Sequence, residues 1–446
     1  MKKHWTILLL LLVALDLTGC RKFLNEPSNQ NNAPKNLKAY EDILNSADIS
    51  QSFPHHMMYL TDELQANVTD LDNSPTANAY FWRSQLNRDT DSIPVIWGLL
   101  YRGIYKTNFI ISNVMNSEDG TEVKKLEIRA EALTLRAIFY FDLLTVYAKA
   151  YNITSAVTDP GLPLVTDTAE TDIMPQRSSV KETLEAMIAD LMLAQTQLPA
   201  IANSRTRINK YVAMGMLARI YLYMHDYTQA ELFAEKALVA PHTLVNYNEY
   251  FVGKPIPAYA LDPQILWHRE AEHVADMGTF YYDDGLISTF KLNDLRYRVF
   301  TVHDGYYHYS PLYTGYGTFG MTFPELYLIK AESLANNNKV NEAMAIINEL
   351  RFNRILGNLP PLLSAKNKSI ALTLIHNERR WELAFKGTRW MDMKRLDALG
   401  YMSEVNHIKF FSFTTIVATL LPKSPNYTRE IPARVLLLNP QMTKNF

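Results

Sequence analysis

The 446-residue chain has one cysteine, Cys20, so no disulfide within the chain can staple it. It has almost no net charge: 44 Lys and Arg against 46 Asp and Glu leave −2, which excludes a global field drawing it to nucleic acid. It lacks the ~20-residue apolar run that a membrane-spanning helix requires. The run from Trp5 to Leu15 is apolar apart from Thr6, but is only about half that length. No Pro/Gly/Ser-rich stretch divides it, although it exceeds the usual single-domain size. The motifs G-x-S-x-G, G-x-x-x-x-G-K-[ST] and H-E-x-x-H are absent, which removes the commonest local signatures of hydrolases, phosphate-binding loops and zinc peptidases. What it has is 48% hydrophobic residues and 26 tyrosines, enough for a large core and an excess of rings suited to ligand contact.

Lys2 and Lys3 precede the short apolar run, which marks residues 1–19 as a signal peptide. Leu17-Thr18-Gly19-Cys20 resembles the lipobox of bacterial lipoproteins, in which the cysteine thiol receives a diacylglyceryl group. Several palmitate-type acyl chains, at ~0.8 kcal/mol per buried methylene, anchor a protein stably. Residues 20–36 then read as a lipidated cysteine and a polar, Asn/Pro-rich tether, leaving 37–446 as a single domain.

Beyond the tether, helical periodicity dominates. Val123, Leu126, Ala130, Leu133, Ala137, Tyr140, Leu144 and Tyr147 recur at spacings of three and four, and Leu135, Ile138 and Phe141 add a second apolar face. Such a helix sits between neighbours. Leu217, Ala218, Tyr221, Ala230, Ala237 and Pro241 lie close to the tetratricopeptide pattern, in which small residues permit close helix packing. Ala331, Leu334, Ala343 and Leu350 repeat the spacing of Ala218, Tyr221, Ala230 and Ala237. The expected fold is therefore mainly α: a tetratricopeptide-like helical-hairpin superhelix, with repeats at about 95–240 and 322–400, interrupted by a large insertion.

The insertion, about 245–320, is loop-rich and tyrosine-rich, holding eleven of the 26 tyrosines together with Trp267 and short candidate strands. A second irregular region, about 52–94, contributes Tyr80, Phe81 and Trp82.

Near the C-terminus, Ala371, Leu374, Glu378, Trp381 and Phe385 form one helical stripe, which sets a carboxylate among apolar neighbours. An unpaired buried charge costs several kcal/mol or more, so Glu378 needs a cation. The local candidates are Arg379, Arg380, Arg389 and Arg395. Gly387 suits a left-handed helix end that lets a second helix fold back. A general acid in a cleft is the functional alternative; a structural ion-pair clamp of Glu378, Arg379, Arg389 and Arg395 is preferred, since catalytic groups favour loops.

The segment "ERRWELAFKGTRWMDMKR" resembles the C-terminal signature of the SusD/RagB family of outer-membrane nutrient-binding lipoproteins. "WGLLYRGIYKTNFIISNV", "RAEALTLRAIFYFDLLTVYA", "FPELYLIKAESL" with "AMAIINELRFNR", and "IPARVLLLNPQM" are similar to its other segments, in the expected order. Lys386 departs from the family, which commonly has an acid before the glycine. The resemblance implies a helical scaffold with ligand binding on irregular loops and a structural role for the Glu/Arg stretch. It also implies outer-membrane, surface-exposed anchoring and a partner, a SusC-type TonB-dependent transporter. No cofactor is implied.

Metal and nucleotide signals are weak. Gly315 to Gly320 matches G-x-G-x-x-G but follows a tyrosine-rich loop instead of an apolar strand. His268 and His273, and His303 and His308, are each five apart, which is not the i, i+4 spacing of a helical zinc pair. Asp70, Asp72 and Ser74 are reminiscent of a calcium loop, with Pro75 where the turn glycine belongs.

Binding therefore outranks catalysis. Sugars stack their C–H faces on rings, and about 100 Å² of covered ring gives roughly 2.5 kcal/mol, less than the ~4 kcal/mol of millimolar affinity. Several rings are needed. The candidates are Tyr80, Trp82 and Arg83 from the first irregular region and Trp267, Tyr281, Tyr282, Tyr306 and Tyr307 from the second, with Asp62 and Asn67 as polar contacts. Trp82 and Trp267 are expected to meet on one face. The expected function is capture of an oligosaccharide or other nutrient and its delivery to the transporter. A helical scaffold lipoprotein binding peptides is the alternative. An endo-glycosidase needs two carboxylates ~5 to 9 Å apart, for which Asp283, Asp284 and Asp304 are the candidates.

Overall fold

The computed structural model describes residues 33–69, 72–166, 168, 175–250, 256–272, 281–300, 302–304, 307–309, 318–357, 360–410, 412 and 414–446. The signal peptide, Cys20, Asp70, His273, Tyr306 and the 315–317 part of the glycine motif lie outside them.

Side-chain caps set where the helices begin. Asn36 accepts from the Ala39 N–H to start α1 (Leu37–Leu44). Pro94 precedes α2 (Val95–Asn113), and Thr121 caps α3 (Glu122–Tyr147), the two-faced helix expected from its spacing. From Ala130 to Tyr147 all but Arg136 of α3 is buried. Gly103 of α2 permits the closest approach: a Cβ there would lie 2.6 Å from the ring of Phe139. A full capping box, Ser179 with Glu182, opens α4 (Val180–Gln197). Asn209, Asp226, Thr322 and Asn367 cap α5 (Lys210–Tyr223), α6 (Tyr227–Leu238), α7 (Phe323–Asn336) and α9 (Lys368–Glu382); α8 (Val340–Phe352) and α10 (Arg389–Ala398) complete the longer helices among the described residues.

Each helix from α2 to α7 packs on the next, and α7 also packs on α8 and α9. The fold is the expected mainly α, tetratricopeptide-like superhelix. The hairpins α5–α6 and α7–α8 bury Ala218, Ala230, Ala237, Ala331 and Ala343 completely, so the helix axes approach closely. These hairpins sit directly against each other. Lys330 pairs with Glu235 at 3.1 Å, and Asn337 and Lys339 reach Glu231 at 2.7 and 2.6 Å. The insertion thus leaves and rejoins a continuous stack.

The strands are short; apart from an antiparallel pair at Pro160–Pro163 and Arg177–Ser179 they are β1 (Leu64–Gln65), β2 (Ile265–Trp267), β3 (Tyr281–Tyr282), β4 (Val302–Asp304), β5 (Tyr307–Tyr309), β6 (Met321–Thr322), β7 (Val405–Ile408) and β8 (Ile416–Leu420). An antiparallel sheet of order β1-β3-β5-β4 joins the two irregular regions, with Leu64 opposite Tyr282 and Gln65 opposite Tyr281. His303 lies opposite His308 across β4 and β5, a cross-strand relation that a helix-spacing test does not detect.

The C-terminal helices are held by buried charge. Glu378 is 1% exposed and paired, as its place in an apolar stripe requires, but its partners are Arg296 at 2.8 Å and Arg351 at 2.5 Å. None of Arg379, Arg389 and Arg395 is its partner. Arg379, one residue on, points round the helix to Asp392 at 2.7 Å; Arg395 bridges Asp392 and Glu332; Arg389 reaches Asp62. One turn along α9, Glu382 takes Arg354 at 2.8 Å, and Arg354 also donates to the Val245 carbonyl and the Gln264 amide oxygen. The clamp therefore ties α7, α8, α9 and α10 to the insertion, not merely α9 to α10. Gly387 turns the chain between α9 and α10 at φ +76°, and a Cβ there would meet Phe53 at 2.7 Å.

Glu378→Ala leaves Arg296 and Arg351 short of a buried partner and should cost about 3 to 5 kcal/mol, read from the denaturant midpoint at unchanged m-value. A change below about 0.5 kcal/mol contradicts the clamp assignment.

Candidate ligand-binding site

The β1–β3 pairing brings residues 62–65 beside 281–283, and the Asp283 N–H donates to the Glu63 carbonyl at 2.8 Å. On the other side stands β7. His407 lies between the rings of Tyr80 and Trp82, with centroids 4.0 and 3.9 Å away, and its ring nitrogens face the Tyr80 and Thr61 carbonyls at 2.7 and 2.9 Å. Burial pushes the imidazole pKa down to about 4, against the pull of the two carbonyls. Between these segments, α9 and residues 401–408 opens a polar cavity of about 500 Å³, lined by Asp62, Asp283, Arg380, Arg389, Tyr401 and Asn406 among others.

The floor of the cavity is ionic. Asp62 receives Arg389 through both oxygens at 2.6 and 2.7 Å and Arg380 at 2.9 Å. Burial favours the neutral acid, but the two guanidiniums outweigh it and hold the carboxyl well below the usual range. Asp283 differs. Burial pushes it up to about 6, the Asp62 charge adds to this, and the Leu286 N–H that it caps opposes at 3.2 Å. Among the described residues, Asp283 Oδ2 and Arg380 Nε have no hydrogen-bond partner, one an acceptor and the other a donor. Tyr401, 48% exposed, adds a ring whose edge meets His376 at 5.1 Å.

The structure sorts the residues proposed from the sequence. Asp62, Tyr80, Trp82, Tyr281 and Tyr282 converge on this region, but mostly as packing. Trp82 is 1% exposed and donates to the Leu60 carbonyl at 2.9 Å; its backbone takes a left-handed φ of +46°. Tyr80 is buried, and Tyr282 packs edge-on against Phe385 at 4.7 Å. Arg83 is engaged with Asn78, the Asp72 carbonyl and the ring of Phe81. Asn67 is exposed. Tyr281 is half-buried, 5.0 Å from Phe410. Tyr307 is on β5, its side chain outside the described residues, as is that of Asp304 on β4. Trp267 is elsewhere, 2% exposed on β2 and bonded to the Thr206 carbonyl at 3.2 Å. The two tryptophans therefore present no shared face to solvent, because irregular segments here fold inward and their rings fill the core. Asp72 binds the N–H and hydroxyl of Ser74, which caps the short helix Pro75–Tyr80.

Sequence reasoning missed Tyr401 and Asn406, which no periodicity marks. It named Arg380 and Asp283 for other roles. A second cavity, about 630 Å³ and more apolar, lies at Tyr211, Tyr259, Leu266 and Phe323. The first is favoured because its lining includes the unpartnered donor and acceptor.

Beneath the floor, Glu63 is 1% exposed and accepts from the Phe385 N–H at 3.2 Å. Burial and the Asp62 charge push its pKa to about 8. The folded state then keeps a proton that the unfolded chain releases above the ordinary value near 4.5, so this contribution is complete below that pH and is lost as pH rises through 8. Glu63→Gln should flatten the decline in melting temperature between about pH 5 and about pH 8. Parallel profiles for the two proteins would mean that Glu63 is ionised when folded.

A helical-repeat scaffold bearing a polar cleft built from loops defines a binding protein with a preformed ligand cavity. The chain belongs to the SusD family: residues 22–222 match the family described as starch-binding and associating with the outer membrane, and residues 297–446 match the SusD family itself. It is thus a carbohydrate- or nutrient-binding protein of an outer-membrane-associated family. SusD-like protein P38 of Formosa agariphila is 22% identical over 91% of this chain and 94% of its own, and SusD-like protein P2 of the same organism 24% identical over 89% and 91%. The fold matches a putative sugar binding protein from Bacteroides vulgatus, with a TM-score of 0.77 at 22% identity over 93% of this chain and 99% of that one. It also matches a SusD superfamily protein from Bacteroides thetaiotaomicron, with a TM-score of 0.76 at 17% identity over 92% and 100%. Among the described residues no helix is long and apolar enough to cross a membrane.

Proposed function

We propose that the protein captures an oligosaccharide, or another hydroxyl-rich nutrient, in the cavity at Asp62, Asp283, Arg380 and Tyr401. It then delivers the ligand to a SusC-type TonB-dependent transporter, while lipid on Cys20 holds it to the outer membrane. One observation carries this reading: a lone acceptor and a lone donor, Asp283 Oδ2 and Arg380 Nε, belong to side chains lining the same cavity beside an exposed ring. Both atoms are buried as they stand, and small rotations of the two side chains into the cavity let neighbouring sugar hydroxyls donate to the first and accept from the second, while a C–H face covers Tyr401. The paired Asp62 holds Arg380 in place for this. Tyr281 and Asn67 remain candidates for the rim; Trp82, Tyr80 and Tyr282 support the site from within the core.

Calorimetry against a panel of oligosaccharides tests the reading. Tyr401→Ala should weaken binding by about 1 to 3 kcal/mol with an unchanged melting temperature. Affinity should rise as pH passes through about 6, where Asp283 ionises and becomes the stronger acceptor, and Asp283→Asn should abolish that rise. Loss of binding in Tyr259→Ala with none in Tyr401→Ala moves the site to the second cavity. For the anchor, Cys20→Ala should shift the protein from the membrane to the soluble fraction; unchanged fractionation refutes lipidation there.

Two carboxyls with opposed pKa values, Asp62 and Asp283, also suggest a glycosidase. The Asp62 oxygens are both committed to arginine, which disfavours a base or nucleophile there. Shorter products after incubation with the bound oligosaccharide would reverse this choice.

A further inference from the structure

The helical turn His55–Leu60 begins immediately after Pro54 and presents two adjacent, buried imidazoles. Their ring centroids are 4.0 Å apart, and each Nδ1 faces the same carboxylate oxygen, Glu272 Oε1, at 3.6 Å from His55 and 3.9 Å from His56. The three ligating atoms lie within 4.8 Å of one another. We propose that His55, His56 and Glu272 form a binding site for one divalent transition-metal ion of the zinc type.

A zinc ion with bonds of about 2.0 to 2.1 Å in tetrahedral geometry sets its ligand atoms roughly 3.3 Å apart. The two nitrogen-to-oxygen distances, 3.6 and 3.9 Å, are both somewhat longer than that, so the side chains close by a few tenths of an ångström on the ion. Simple charge pairing accounts for the cluster less well. One carboxylate neutralises one imidazolium, and a second imidazolium in contact with the first is repelled. A metal instead uses both rings in their neutral form. Two nitrogens and one oxygen select zinc, cobalt, nickel or copper over magnesium and calcium, which prefer oxygen alone. The Glu272 side chain is 18% exposed, so water can complete the coordination shell from that side.

The surrounding backbone holds the ligands before any ion arrives. Phe53 and Ala271 form a parallel bridge, the Phe53 N–H donates to the Glu270 carbonyl at 3.1 Å, and the Glu272 N–H donates to the Phe53 carbonyl at 3.0 Å. The ion crosslinks two segments that are more than 200 residues apart in sequence, and one of them leads directly into Asp62. The site's role is to fix the edge of the ligand cavity, and its existence does not depend on which ligand the cavity takes.

The experiment uses the purified protein stripped with a chelator. Titration with zinc should show one equivalent bound and a raised melting temperature, and cobalt in its place should give the visible absorption of a low-coordinate mixed nitrogen and oxygen site. His55→Ala, His56→Ala and the near-isosteric Glu272→Gln should each remove both signals while circular dichroism stays that of the folded protein. Absence of zinc binding to the parent overturns the proposal. So does binding that survives all three substitutions, including the case in which it is lost only in His303→Ala and therefore belongs to the β4–β5 histidine pair. Should the alanine variants fail to fold, Glu272→Gln decides alone: a retained cobalt spectrum refutes the site.

Discussion

Buried charge, satisfied from a distance, is the constraint on which the rest of this structure depends. Glu378 and Glu382 stand one turn apart on α9 in surroundings that water does not reach, and each is neutralised from another element: Arg296 in the insertion, Arg351 and Arg354 at the end of α8. Arg379 and Arg395 continue the network through Asp392 and Glu332. Hydrophobic packing alone would tolerate small slips of one helix past another. A bidentate guanidinium contact does not, because a shift of an ångström or two strands a charge in low dielectric. The network accordingly fixes the register of α9, and with it the position of Arg380, which is one residue beyond the clamp and faces the cavity.

The same economy shapes the ligand site. Its charged floor extends the clamp, with Asp62 taking Arg380 and Arg389, while the neighbouring carboxyls are left to environments that favour the proton: Glu63 near 8 and Asp283 near 6. Three acids within 222 residues of sequence but one small volume of space thus titrate in three different ranges. Of the three, Asp283 alone keeps an oxygen without a partner among the described residues, on a side chain that lines the cavity.

Helices were legible because their burial repeats every three or four residues. The spacing of Val123 to Tyr147 defined α3 within a residue at each end, and the alanines at 218, 230, 237, 331 and 343 marked where axes approach closely. Gly387 and the pairing of Glu378 were legible for local reasons: a left-handed turn needs glycine, and a carboxylate in an apolar stripe needs a cation. The identity of that cation was not, because Arg296 and Arg351 are 82 and 27 residues away and nothing in the local pattern distinguishes them from Arg379. The loop aromatics show the same limit. Lack of periodicity in the segments holding Trp82 and Trp267 says that they are irregular, but not on which side they bury their rings. Both rings turned inward, while Tyr401, in a segment with no pattern at all, turned out.

The long-range contacts at the cavity have a consequence for how the molecule comes into being. Asp62 meets Arg389 across 327 residues, Glu63 meets the Phe385 N–H across 322, and His407 meets the Thr61 carbonyl across 346. A chain made from its N-terminus can build the helices from α2 to α6 in order, each packing on the helix that precedes it in sequence. Asp62 has no such partner, although its segment meets Trp82 through the Leu60 carbonyl. It must wait, its carboxylate hydrated, until almost the whole polypeptide has emerged. Assembly of the cleft is then a terminal event, and a molecule that can hold ligand has already passed every earlier checkpoint of its own folding.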